Sequence, residues 1–230
     1  MEPYLIIINV MFGILPFVFR KVPSLLNHFI TIFHEVGHAI AALIFGGQVK
    51  SIKINKDGSG NTTSAHALQG GYKITRLLVI LSGYSFPIII GLFIALSVLY
   101  DQYMIGFWVA VGVSVISIIF IRNFFGLAIV LAFGLIVIIP YFIVPSFFIY
   151  FILALGSLAV AGGIRDLVLI SLSVFMKREG GGSDFSIMKN EIYIPRPVGV
   201  ILEWLFIAII STGIVLLYSY SGNWLSILST

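Results

Sequence analysis

The sequence predicts an all-α polytopic membrane protein of about 6–7 transmembrane helices, with one small β-hairpin at about residues 48–66 that follows a helix carrying H-E-x-x-H. The whole of 1–230 forms a single domain. Three observations predict this. Hydrophobic residues make up 60% of the 230 and charged residues only 10%, with a mean hydropathy of +1.13. A soluble domain of this size has too much surface to cover with so few charges. Apolar runs long enough to cross a bilayer, roughly 17–25 residues each, recur along the chain. One stretch between two of them instead alternates apolar and polar residues and then turns.

The apolar runs fall at 4–19, 25–46, 74–99, 104–121, 124–144, 147–176 and 199–219. The first is short and carries Pro16, which suits an interfacial position. It lacks a basic leader region and a small-residue cleavage site, so it is expected to stay as a membrane segment. Pro87 lies between Gly83 and Gly91, and Gly162-Gly163 interrupts 147–176; both predict a kink or break. Val49, Ile52 and Ile54 alternate with polar residues before the turn signal "KDGSGN", which predicts a hairpin lying at the membrane face. The loop at 177–198 starts with three glycines in "KREGGGSD" and ends with two prolines.

Seven crossings place Lys50, Lys53, Lys56, Lys73, Arg76, Arg122, Lys177, Arg178, Lys189 and Arg196 on one side, against Arg20 and Lys21 on the other. By the positive-inside rule the first side is cytoplasmic. With no cysteine, disulfides and thiolate metal sites are excluded. No basic run of the kind that grips nucleic acid is present, so the bilayer and a membrane-embedded ligand are the expected partners.

Chemistry concentrates in "TIFHEVGHAI", residues 31–40. An ionisable side chain inside a membrane helix is costly and marks function. His34 and His38 are four apart and share a helix face, so two imidazoles can meet one Zn²⁺. Glu35 beside them is placed to act as general base on a zinc-bound water. Gly37 lets another backbone or a substrate approach. Hydrolytic zinc takes three protein ligands and an open position, and here the third must be His, Asp or Glu. His28, six residues before His34, faces elsewhere and reads as an interface residue. His66, Asp57 and Asp101 read as loop residues. Asp166, inside an apolar run and at a depth matching His38, is the expected third ligand, with an Arg165 ion pair as the plain alternative. Asp184 in "GGGSDF" is the rival, if its loop folds back to the metal.

His34-Glu35-x-x-His38 in a membrane helix, then Gly46-Gly47, a β-hairpin and a later aspartate in another span, resembles the site-2 proteases. These are zinc metalloproteases that cut substrates within the membrane. Similarity to their small bacterial branch extends over most of the chain, through Ser82-Gly83-Tyr84 with Pro87, Arg122-Asn123, Ser183-Asp184 and Ile194-Pro195-Arg196-Pro197-Val198. Well-studied members carry Asn-Pro…Asp-Gly around the third ligand, whereas Asp166 follows Gly162-Gly163 and precedes Leu167, so Asp166 and Asp184 both stay open. The resemblance implies a zinc endopeptidase in a bacterial plasma membrane, its site toward the cytoplasm, hydrolysing a peptide bond of a membrane-protein or membrane-anchored substrate. His34, His38 and Asp166 would hold the metal, with Glu35 as base and Asn123 as a candidate group for the substrate or its oxyanion. Two other classes compete: a catalytically silent zinc-binding adaptor, and a transporter with an ion path near 34–38 and 166.

Overall fold

The computed structural model describes residues 25–65, 72–178 and 183–228, together with Ile7, Met11 and Ile14. Apart from those three positions, the span expected at 4–19 lies outside the described residues, as does His66. The chain runs α1 (Leu25–Ile44), β1 (Gln48–Ile54), β2 (Gly60–Ala65), α2 (Tyr72–Leu99), α3 (Tyr103–Phe120), α4 (Phe124–Ile143) and α5 (Pro145–Phe175). A short α6 (Asp184–Ile187) continues into a π-helical turn at Met188–Ile192, and α7 (Arg196–Leu228) follows. Helices α2, α3, α4, α5 and α7 are long and apolar enough to cross a membrane; the chain is a multi-pass membrane protein. Helix α1, with its two histidines and glutamate, is packed inside the bundle, where Ile32, Phe33, Val36, Ala39 and Ala42 are fully buried.

Small residues let the helices close up, which is how membrane helices gain packing without a hydrophobic drive between them. Between α2 and α5 the backbones nearly touch: a Cβ on Gly91 would lie 2.7 Å from the Gly156 carbonyl oxygen. Gly163 faces Ile88 in the same seam and Gly162 receives Ile30 of α1. The break expected at Gly162-Gly163 is absent. Helix α5 runs uninterrupted from Pro145 to Phe175, because those glycines are used for close packing. Helix α2 likewise continues through Pro87.

The hairpin forms where the alternation places it, antiparallel, with Ile52 opposite Thr62 and Ile54 opposite Gly60. Asp57 closes the tip by accepting from the Ser59 N–H at 2.9 Å and its hydroxyl at 2.7 Å, while Gly58 takes a left-handed φ of +87°. The hairpin does not stay at the C-terminal end of α1. It runs back along α1, so that Thr31 donates to the Gly58 carbonyl at 2.7 Å and Thr62 donates to the Glu35 carbonyl at 3.0 Å. Thr31 is thirteen residues from the end of α1 at Ile44, which puts the tip roughly 20 Å below that end.

Non-helical backbone at such depth must be satisfied by protein or water. Ile52 and Ile54 bury their side chains in the main core, and the outer edge of β1 is closed by the α3–α4 turn. Arg122 N–H donates to the Ile52 carbonyl at 2.9 Å. The Asn123 side chain donates to the Ile54 carbonyl at 2.7 Å and accepts from the Ile54 N–H at 3.2 Å. Asn123 thus serves as a strand mimic that anchors the hairpin. The α1–β1 junction and the first turns of α2 lie together, with Val49 packed on Ala41, Ala42 and Val79, whereas the α3–α4 turn lies farther along the hairpin, at Ile52 and Ile54.

Candidate metal centre

A cavity of about 500 Å³ opens between α1, β2, α2, α5 and the α6 segment, lined by His34, Glu35, His38, Gly60, Tyr84 and Asp184 among others. Helical spacing brings the His34 and His38 side chains to the same wall, with Nε2 atoms 3.2 Å apart. Glycine 83 of α2 makes room for both rings: a Cβ there would sit 2.5 Å from His38 Cε1 and 2.8 Å from His34 Cε1. Gly37 lets α2 approach α1, with Ser82 and Phe86 occupying the space its side chain would need.

The third member comes from the far end of the chain. Ser183 caps α6 by accepting from the Ser186 N–H at 3.3 Å. Phe185 and Met188 are fully buried against α2 and α7, and the Phe185 ring stacks on Tyr84 at 5.6 Å and 6°. That packing turns Asp184 toward the histidines, its Oδ2 lying 3.2 Å from His34 Nε2 and 3.3 Å from His38 Nε2. Among the described residues, His34, His38 and Asp184 are the group whose donor atoms all lie within 4.8 Å of one another. Burial alone would raise the Asp184 carboxyl, but His38 and His34 outweigh it and hold the group well below the usual carboxylate range.

Two features fit this trio to a cation. His38 Nδ1 lies 2.7 Å from the Val79 carbonyl oxygen, which can only accept, so Nδ1 carries a hydrogen and, in the neutral imidazole, Nε2 presents its lone pair to the centre. This is the outer hydrogen bond that orients a metal-ligating imidazole. The donor atoms also stand 3.2, 3.2 and 3.3 Å apart. Tetrahedral zinc with bonds of about 2.0–2.1 Å spaces its donors about 3.3 Å apart. Three acceptor atoms so close repel unless a positive charge lies among them.

Glu35 points into the same cavity at 4% exposure, and its Oε2 has no hydrogen-bond partner. Gly60 of β2 packs where only hydrogen fits, since a Cβ would overlap the Glu35 carboxyl. Asp166 lines the cavity wall but stands outside the close trio. Its Oδ1 is 3.7 Å from Arg165 Nη1, which in turn donates to Asn27 Oδ1 at 2.9 Å. His28 is buried with its ring edge-on to Phe125 at 5.4 Å. Asp57 closes the hairpin tip, and Asp101 sits at the α2–α3 turn with φ 58°. Sequence reasoning passed over Gly60, Glu203 and the Val79 carbonyl. Glu203 of α7 is 1% exposed and its Oε1 has no hydrogen-bond partner; an acid inside the run 199–219 was its one signal.

A family model described as Peptidase M50B-like matches residues 6–218. No curated protein and no solved structure is a significant match to the chain.

Proposed function

The chain belongs to the Peptidase M50B-like family, and from that premise we propose that it is a zinc-dependent intramembrane endopeptidase. His34, His38 and Asp184 would hold the ion and Glu35 would act as general base. The observation that carries the reading is the convergence of three donor atoms at 3.2–3.3 Å beside an unpartnered buried glutamate oxygen. Bound there, zinc supplies Lewis acidity, polarising a peptide carbonyl and bringing the pKa of water toward about 7. Glu35 Oε2 takes the proton from the attacking water and returns it to the leaving amine nitrogen. The Val79 carbonyl holds His38 in the tautomer that leaves Nε2 free for the metal, and Gly60 keeps the space in front of Glu35 open.

The substrate is a membrane-embedded segment in extended form, because a helix hides its carbonyls. The hairpin favours such a ligand. With the β1 edge closed by Arg122 and Asn123, no further strand pairs with the outer edge of β2 among the described residues, and Gly60, Asn61, Thr62 and Ser64 line the cavity. An extended peptide would add to β2 by strand pairing, which satisfies its backbone at membrane depth.

The test is metal content and cleavage of a model transmembrane segment by the detergent-purified protein. About one zinc per chain is expected in the wild type, lost in His34→Ala and Asp184→Asn and kept in Asp166→Asn. Glu35→Gln should keep the zinc and lose cleavage by at least about a hundredfold. Zinc that survives Asp184→Asn but not Asp166→Asn would transfer the third ligand to α5. A wild type that takes up no zinc would end the protease reading.

A further inference from the structure

The Asp184 segment is fastened to one face of α2 by groups that none of the chemistry above uses. Lys73, Arg76, Ile80 and Tyr84 follow one another three or four residues apart, so they share a helix face. Tyr84 stacks on Phe185, and Ile80 joins Phe185 and Met188 in one buried cluster. Arg76 makes a two-pronged ion pair with Glu191 in the π-helical turn, Nε to Oε2 at 2.6 Å and Nη2 to Oε1 at 3.2 Å. Lys73 Nζ lies 5.4 Å above the Tyr193 ring. Asp184 and Glu191 thus belong to one helical unit, hydrogen-bonded through the Met188 N–H to the Asp184 and Phe185 carbonyls.

We propose that the Arg76–Glu191 pair is a positioning clasp that sets the orientation of Asp184 toward His34 and His38, and so tunes metal affinity. The inference rests on the metal reading above. Isolated exposed ion pairs contribute little, but this one has features that make it directional. The planar guanidinium engages both carboxylate oxygens, which fixes an angle as well as a distance. The Arg76 side chain is only 17% exposed. Most important is its placement: Val79, one turn after Arg76, supplies the carbonyl that orients His38. One stretch of α2 therefore references both a histidine ligand and the aspartate ligand to the same backbone. The α-to-π transition, a feature frequent at functional sites, lies between Asp184 and Glu191 in that unit.

The experiment measures zinc affinity by competition with a chromophoric chelator, on the full chain in detergent. It compares wild type, Arg76→Glu, Glu191→Arg and the double charge swap. Positioning and simple charge effects predict opposite patterns. A pure field effect makes Arg76→Glu bind zinc more tightly and Glu191→Arg more weakly, because the two changes shift the local charge in opposite directions. A clasp makes both single variants weaker, by about tenfold as for other outer-shell partners of metal ligands, and the swap returns affinity to within about threefold of wild type. The field pattern, or wild-type affinity in both single variants, overturns the clasp. Arg76→Lys and Glu191→Gln, which cannot make the two-pronged pair but keep the fold's shape, guard against a folding defect. They too must weaken zinc binding, and if both bind as wild type the clasp fails. Absence of zinc from the wild type is a different result, overturning the metal centre itself and the clasp with it.

Discussion

A Cβ added at Gly83 would lie 2.5 Å from one imidazole carbon and 2.8 Å from the other, so both histidines must shift if α2 carries alanine there. Alanine improves the helix itself by about 0.5–1 kcal/mol over glycine, and the change is therefore not expected to unfold the protein. Gly83→Ala should lower zinc affinity more than about tenfold, while Gly112→Ala, whose Cβ meets nothing within 4 Å, should leave it unchanged. Equal affinity in the two variants would show that the imidazoles are not confined as the packing indicates. Legibility in the sequence divides along the same physical line. His34 and His38 are legible because helical geometry is local and a spacing of four settles that they share a face, and Glu35 follows from its place between them in H-E-x-x-H. Asp184 is brought in by Phe185 and Met188 finding a pocket between α2 and α7, and no local pattern records a pocket made by distant elements. Asp166 drew attention as the aspartate within an apolar run, yet the Arg165–Asn27 hydrogen bond beside it joins residues 138 positions apart.

The hairpin shows how an element can be foreseen while its location is not. Alternation and a turn signal suffice to specify two strands, and both form near the expected positions. Their descent along α1 depends on Thr31, on Glu35 and above all on Asn123, which reaches Ile54 from 69 residues away. Asn123 needs both halves of its amide, one to donate and one to accept. Asn123→Ala should leave both Ile54 backbone groups unpaired at depth, at about 1–3 kcal/mol for each. Asn123→Asp should be no better, since a carboxylate cannot donate to the Ile54 carbonyl. Amide hydrogen exchange over 48–65 is the measurement, with faster exchange expected in both variants and unchanged protection within α1. Wild-type protection in Asn123→Ala would mean that β1 is held by its pairing with β2 alone.

At the scale of the whole molecule, hydropathy finds the five most apolar helices and undervalues α1, because residues that make the site lower the score of the helix that carries it. The arrangement of faces bears on orientation. The α1–β1 junction and the π-helical turn both lie against the first turns of α2, Val49 against Val79 and Glu191 against Arg76. This side, with Lys50, Lys73, Arg76 and Lys189, is expected to be cytoplasmic. The hairpin tip hangs from it, with Lys56 exposed at a depth of roughly 20 Å. A charged, exposed tip that deep needs water around it, and water is also the second reactant of peptide hydrolysis. The chain has no cysteine, so single cysteines report cleanly at Arg178, Asp101 and Lys56. A membrane-impermeant maleimide applied outside intact cells should label Asp101→Cys alone, and permeabilised cells should add Arg178→Cys and Lys56→Cys. Labelling of Arg178→Cys from outside would reverse the orientation. Failure of Lys56→Cys to react after permeabilisation, with Arg178→Cys reacting normally, would mean that the tip is sealed from water and that hydrolysis at Glu35 has no supply from that side.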